Sequence, residues 1–399
     1  LIVLTPLYNY LCRYFMKMIN FFKKKKSAGS SYLAQADQNK DRARFHELKV
    51  SEITRETPEA VSVAFAVPDQ AQSAYTFLPG QYLTLEKEIQ GEKVRRSYSL
   101  CSSPLDGELR VAIKEVEGGK FSTYANRELH VGERMQVMTP QGNFTLQPDP
   151  EQEHHYVAFA AGSGITPVYS ILKTVLESEP RSRFTLFYGN KTSKTVIFKE
   201  QIEGLKNRYM DRLEVHHILS REDQGTDYLK GRLDADKCRH YAGRFFEPAE
   251  VQGYFLCGPG SMINSVSATL QELGVASDKV HFELFSSPDQ PMESGQKART
   301  RKKTDKLQSK VTVILDGEET HLELSSAGAS VLDAALDAGA DVPYACKGAV
   351  CCTCRARVLE GEVEMEMNYA LEEEEVADGY VLTCQSHPRS ERVVISYDE

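Results

Sequence analysis

Four cysteines carry the clearest chemical signal in this chain of 399 residues. Cys346, Cys351 and Cys354 are spaced C-x4-C-x2-C, and Cys384 follows at a distance. In this spacing four thiolates hold the two irons of a 2Fe–2S cluster, three from one loop and one from a later strand. The loop reads Tyr344-Ala-Cys-Lys-Gly-Ala-Val-Cys-Cys-Thr-Cys354, and its small residues let backbone N–H groups approach the sulfurs. Cys352 is the spare, expected to point away from the cluster as a small buried filler. Structural zinc is the alternative for any cysteine cluster. Zinc favours paired C-x2-4-C knuckles, however, which a single distant cysteine does not complete.

Two more segments could hold cofactors. Arg95-Arg96-Ser97-Tyr98-Ser99-Leu100 is followed about twenty residues later by Gly118-Gly119-Lys120-Phe121-Ser122. An Arg can neutralise a flavin pyrophosphate, and a Tyr can cover the isoalloxazine face. The Ser beside that Tyr can hydrogen-bond the flavin edge, and the glycines admit helix-start N–H groups to phosphate. An exposed strand often carries Arg and Tyr, so the order of the two segments ahead of an α/β region makes the signal specific.

Gly162-Ser163-Gly164-Ile165-Thr166-Pro167 directly follows an apolar strand and opens a helix, as a dinucleotide phosphate requires. It falls short of a full G-x-G-x-x-G fingerprint, and such a turn can be purely structural. Cys257-Gly258-Pro259-Gly260 ends a later strand, placing a thiol and a tight turn where nicotinamide would lie. Asn190-Lys191-Thr192 and Ser220-Arg221 follow two other strands and could contact a ribose 2′-phosphate. That favours NADPH over NADH, although Lys and Arg at strand ends are also common as solvated residues.

The elements that would position these groups divide the chain. Residues 43–152 show short β-rich runs, such as Val61–Val67, Tyr82–Leu85 and Leu109–Val116, between glycine turns; they predict a small antiparallel barrel. Residues 153–287 alternate apolar strands with helices. Tyr156–Ala161, Phe184–Tyr188, Leu213–Leu219 and Gly253–Cys257 predict a parallel sheet. Residues 288–308 are polar, with Pro and Gly and no apolar period, and read as a linker. Residues 309–399 begin with a hairpin, Val311–Leu315 and Thr320–Leu324 about Asp316-Gly317, and continue with a short helix at Ser330–Ala338.

Composition sets limits on function. The hydrophobic content of 41% and charged content of 26% are those of a globular protein, and the length suggests two or three domains. A net charge of −9 argues against nucleic-acid binding, which needs a basic face. From residue 309 onward there are six Lys or Arg against 19 Asp or Glu, a net of −13, leaving +4 for the rest. This acidic end either steers the molecule to a basic partner or is simply a solvated surface, Glu372–Glu375 in particular. Nine cysteines, four of them within nine residues, read as metal binding in a reducing compartment, hence the cytoplasm.

Residues 1–42 are set apart. Leu1 to Phe22 is rich in apolar and aromatic residues and precedes the basic run Lys23–Lys26, the reverse of a secretory signal. Thr5, Pro6, Asn9, Arg13, Lys17 and Asn20 make it a poor spanning helix, so no stable membrane insertion is expected. A disordered tail, with translation starting at Met16 or Met18, is the reading preferred to a loosely membrane-associated one.

With these motifs in this order, residues 44–399 resemble the ferredoxin–NADP reductase superfamily with a C-terminal plant-type ferredoxin domain. Within it, the cluster loop, Met365-Glu-Met-Asn-Tyr-Ala-Leu-Glu372 and Gly379-Tyr-Val-Leu-Thr-Cys-Gln385 most resemble the reductases serving ring-1,2-phenylacetyl-CoA epoxidases. The resemblance implies an antiparallel β-barrel for FAD, an α/β parallel-sheet domain for NAD(P) and an α+β β-grasp domain for the cluster. It implies that Arg96, Tyr98 and Ser99 bind FAD, with Gly119, Lys120, Phe121 and Ser122 at its pyrophosphate. Thr166 and Cys257 would lie near nicotinamide, and Glu283 and Phe285 near the flavin; Ser99, Cys257 and Glu283 form the implied catalytic set.

Nicotinamide gives two electrons as hydride and the cluster accepts one, so a flavin between them explains the whole constellation. The implied acceptor is a di-iron oxygenase. Reductases for steroid-ring, phenol or alkane hydroxylases share the same internal chemistry. A flavin and iron–sulfur redox sensor without turnover is a reading of another class, against which the complete nicotinamide constellation speaks. No globin-sized segment precedes the barrel in this sequence, so a flavohaemoglobin is not expected.

Overall fold

The computed structural model describes residues 43–285 and 307–399, so the expected tail and residues 288–306 of the expected linker lie outside the described residues. Gln308, the last residue read as linker, already opens a strand.

Six strands build the first unit: β1 (Phe45–Thr57), β2 (Ala60–Ala66), β3 (Tyr82–Ile89), β4 (Glu92–Ser99), β5 (Leu109–Lys114) and β6 (Arg134–Met138), with helix α1 (Lys120–Arg127) between β5 and β6. They pair antiparallel in the order β4-β3-β6-β1-β2-β5. A bridge between Leu100 and Val111 joins the two outer strands and closes the barrel. Alternation sends Leu48, Val50, Val63, Leu83, Leu85, Val111 and Val137 inward, where they are buried together with Phe121 of α1. Gly80 leads into β3 at φ 98°, and a side chain there would meet the Phe144 carbonyl at 2.0 Å, so only glycine fits.

The second unit is a parallel sheet of β7 (His155–Ala161), β8 (Arg183–Asn190), β9 (Leu213–Leu219), β10 (Gly253–Gly258) and β11 (Val280–Leu284). Helices α2 (Ile165–Ser178), α3 (Lys199–Arg208), α4 (Ala235–Tyr241) and α5 (Gly260–Glu272) connect the strands. Its order, β11-β10-β7-β8-β9, reverses direction at β7. The crevice beyond the ends of β7 and β10 is therefore the topological switch point, where such sheets take ligands. Helix α2 fastens this unit to the barrel. The Ser170 hydroxyl donates to the Ser102 carbonyl at 2.6 Å, and Lys173 pairs with Asp106 at 2.7 Å.

The third unit contains β12 (Gln308–Leu315), β13 (Glu318–Ser325), α6 (Val331–Asp337), β14 (Arg355–Glu360), β15 (Val363–Met365), α7 (Glu373–Ala377), β16 (Tyr380–Leu382), β17 (Ser386–Pro388) and β18 (Arg392–Ser396). Five strands form the sheet β13-β12-β18-β14-β16, in which β12 and β18 run parallel, and β15 pairs with β17 apart. Ser330 caps α6, accepting from the Asp333 N–H, and Val331, Leu332 and Ala335 bury its inner face. This is the β-grasp arrangement, one helix gripped by a mixed sheet.

Candidate functional site

A cleft of about 1090 Å³ runs where the three units meet. β4 contributes Arg96, Tyr98 and Ser99, and the start of α1 contributes Gly119, Phe121 and Ser122. The parallel sheet adds Ser163, Thr166, Glu283 and Phe285, and the cluster loop adds Cys346, Val350 and Cys351. Three motifs far apart in sequence thus share one wall. That volume is large enough for a big planar cofactor.

Local geometry assigns each side chain a task. Tyr98 is half-buried with its ring 5.6 Å from that of Phe121, and burial pushes its hydroxyl pKa up. The Ser99 hydroxyl donates to Glu283 Oε2 at 2.9 Å across 184 residues of chain. Removal from water raises the Glu283 carboxyl to about 8, although the Ser99 bond pulls the other way. A carboxyl that titrates near neutrality at the cleft wall can give or take a proton there. Gly119 caps α1, and a side chain on it would lie 2.5 Å from Ser122 Oγ. Ser122 Oγ accepts from the Val116 N–H at 3.1 Å and so shapes the glycine turn.

Other expected residues lie outside the cleft wall. Lys120 forms an exposed ion pair with Glu92. Gly162 adopts φ 56°, its carbonyl accepting from the Tyr188 hydroxyl at 3.0 Å. Gly164 has a packing reason to be glycine, since a side chain there would meet the Cys257 carbonyl at 2.1 Å. Cys257 is fully buried, in register with Ala160 on one side and Glu283 on the other, and burial holds its thiol well above the usual range. Its side chain is buried in the core cluster that includes Ile165 and Phe255, while Gly258 and Pro259 lead into α5. Ser220 and Arg221 donate their N–H groups to the carbonyls of Asn190 and Lys191, both at 2.9 Å. The two expected phosphate-contacting loops are therefore side by side.

The cysteines fall into two pairs. Cys351 and Cys346 sulfurs are 3.1 Å apart, and the Cys354 and Cys384 thiols hydrogen-bond to each other. Lys347 and Ala349 take positive φ, 51° and 62°, which turns the loop inward. The Gly348 N–H then points at Cys346 Sγ at 3.3 Å, and the Ala349 N–H at Cys384. The Cys351 thiol, with the N–H groups of Gly348, Val350 and Cys351, draws the Cys346 pKa down. Among the described residues no three His, Cys, Asp or Glu side chains converge on one point. Two pairs set in a nest of N–H donors fit a binuclear iron cluster, one pair per iron. Cys352 Sγ instead donates to the Ala370 carbonyl at 3.2 Å, away from the other sulfurs and only half-buried.

Sequence reasoning missed Tyr82. It lines the cleft from β3, is 4% exposed, and packs with Ala345, Cys346 and Cys351. Its hydroxyl accepts from the Cys352 N–H at 3.2 Å and lies 3.1 Å from Thr353 Oγ1. The Pro79-Gly80-Gln81 turn before it was visible, but nothing local announces a partner 271 residues away.

A barrel and a parallel sheet sharing one cleft with paired cysteines define a flavin- and nicotinamide-dependent iron–sulfur reductase. Family comparisons agree. The oxidoreductase FAD-binding domain matches residues 47–146, the oxidoreductase NAD-binding domain 159–268, and the 2Fe-2S iron-sulfur cluster binding domain 313–389. The chain belongs to the ferredoxin reductase superfamily, among the oxygenase reductase components that use FAD, a nicotinamide nucleotide and a 2Fe–2S cluster. It is 43% identical to a subunit of the 1,2-phenylacetyl-CoA epoxidase of Escherichia coli K12, over 89% of this chain and 98% of that one. It is 35% identical to the ferredoxin reductase component of 3-ketosteroid-9-alpha-monooxygenase from Mycobacterium tuberculosis, over 88% and 96%. The fold matches that of phthalate dioxygenase reductase at a TM-score of 0.53 and 21% identity, over 88% of this chain and 98% of that one. No helix among the described residues is long and apolar enough to cross a membrane.

Proposed function

We propose that this protein carries electrons from NADPH, through FAD and the 2Fe–2S cluster, to a di-iron oxygenase that epoxidises the aromatic ring of phenylacetyl-CoA, in the cytoplasm. The observation that carries the reading is the shared cleft, where the Arg96–Ser99 segment and two cluster cysteines line one wall. Bound FAD supplies the conversion between hydride and single-electron transfer.

The chain's own residues hold and protect that chemistry. Arg96 and the N–H groups at the start of α1 bind the pyrophosphate. Tyr98, backed by Phe121 of the barrel core, would lie against the flavin ring, and Phe285 stands at the rim. Ser99 and Glu283 would hold a proton at the flavin edge, beside the β7–β10 crevice that would take nicotinamide. Gly162, Gly164 and Thr166 border that crevice, and Cys257, Gly258 and Pro259 form its back. Lys191, Ser220 and Arg221 take the 2′-phosphate, which selects NADPH. Cys346, Cys351, Cys354 and Cys384 ligate the irons, and the loop N–H groups stabilise the charge on their sulfurs.

The 43% identity to the epoxidase component supports the acceptor. The 35% identity to a ketosteroid monooxygenase reductase favours a steroid-ring hydroxylase as the second reading. NADPH oxidation by the purified protein with a phenylacetyl-CoA oxygenase component, with and without phenylacetyl-CoA, separates the two. Substrate-dependent oxidation with epoxide formed is expected. NADPH-driven cluster reduction that never couples to that oxygenase would contradict the acceptor and direct the test to the steroid enzyme.

A further inference from the structure

We propose that Arg95 is the positioning residue that seats the cluster loop against the flavin cleft, and so sets the rate of electron transfer between the two centres. The inference rests on the electron-relay reading above.

Arg95 and Arg96 are neighbours on β4, and alternation sends them to opposite faces. Arg96 lines the cleft; Arg95 turns toward the third unit and is 3% exposed. Its Nε pairs with Glu86, its cross-strand partner on β3. That contact leaves the outer fork of the guanidinium for the cluster domain. Nη2 binds Asp341 Oδ1 at 2.9 Å, and Nη1 donates to the Val342 carbonyl at 3.3 Å. The guanidinium also lies 4.8 Å from the ring centres of both Phe45 of the barrel and Tyr344 of the cluster domain. Tyr344 is two residues before the ligand Cys346.

The far end of the same loop is held too, by the Tyr82 hydroxyl on the Cys352 N–H and beside Thr353. Asn143 adds a bond to Glu375 at 3.1 Å. Docking takes a guanidinium out of water, so its partners from both units must all be in place; loss of one leaves a buried charge poorly paired. Electron tunnelling falls off exponentially with distance. A weaker seat therefore lowers the population in which the cluster lies at the cleft, and the observed rate falls with it.

The test mixes the anaerobic holoprotein with NADPH in a stopped-flow instrument and follows flavin bleaching and cluster reduction separately. The variants are R95M, D341K and R95K. The Asp341 side chain is 73% exposed on the opposite unit, so D341K leaves both folds intact. In R95M and D341K, flavin bleaching and the electron paramagnetic resonance spectrum of the reduced cluster should match the parent. Cluster reduction should slow about tenfold, the population change worth ~1.4 kcal/mol of docking. R95K, which keeps charge but loses the fork, should recover part of the rate. Cluster reduction in D341K and R95M at the parent rate would overturn the role of Arg95. A parent whose flavin bleaches while its cluster stays oxidised would overturn the relay reading instead.

Discussion

Cys351 and Cys352 are the same residue side by side, and only their surroundings separate them. Cys351 faces Cys346 within the loop, while Cys352 turns to the Ala370 carbonyl. C352S should therefore keep full iron content and visible absorption, whereas C384S should lose both; iron analysis of the two purified variants checks this. Glu283 makes a second prediction at this scale. Burial lifts its carboxyl from 4.5 to about 8, so the folded protein retains a proton that the unfolded chain releases. That contribution to stability is complete below about pH 4.5 and is lost as pH rises through about 8. Thermal melts of E283Q across this window should decline less with pH than those of the parent; parallel curves would refute the assignment. The four cysteines that the structure gathers into two pairs were legible in the sequence, because holding an iron pair would dictate both residue type and spacing. Arg95 and Tyr82 were not, because their partners lie about 250 residues away and no local pattern encodes them.

Among the elements, the parallel sheet was the most legible. Its inner strands β7 and β10 are near-continuous apolar runs, and the edge strand Leu213–Leu219 was placed to the residue despite its Glu and two His. Strand β1 was missed. Phe45–Thr57 carries charged residues at many positions and is held by pairing to β2 and β6 rather than by an apolar pattern. The acidic run was only half read. Glu375 completes the capping box of α7 by accepting from the Glu372 N–H, accepts from Asn143 and pairs with Arg355 at 3.0 Å, so it belongs to an interface rather than to open solvent. Two glycines test the packing of the second unit. Gly164 has no room for a methyl beside Cys257, so G164A should cost about 1–3 kcal/mol. Gly204 lies exposed within α3 with nothing near it, so G204A should stabilise by about 0.5–1 kcal/mol. Denaturation midpoints that move the same way would contradict this packing account.

At the scale of the whole molecule, charge is as unevenly distributed as function. The cluster domain holds the net −13, and the flavin unit faces it with Arg95, Asn143 and Tyr82. Outward steering is the remaining use of that charge. Electron delivery to a basic acceptor should slow as ionic strength rises beyond about 0.1 M, where the screening length is about 10 Å. Salt-independent rates of reduction of a basic one-electron acceptor would remove the steering role.

The central claim is that one cleft joins nicotinamide oxidation to the iron–sulfur cluster, and an anaerobic titration with NADPH tests it most directly. Flavin and cluster absorption should both bleach, with the resonance signal of a reduced 2Fe–2S cluster appearing alongside. A flavin that bleaches fully beside a cluster that stays oxidised would contradict the account.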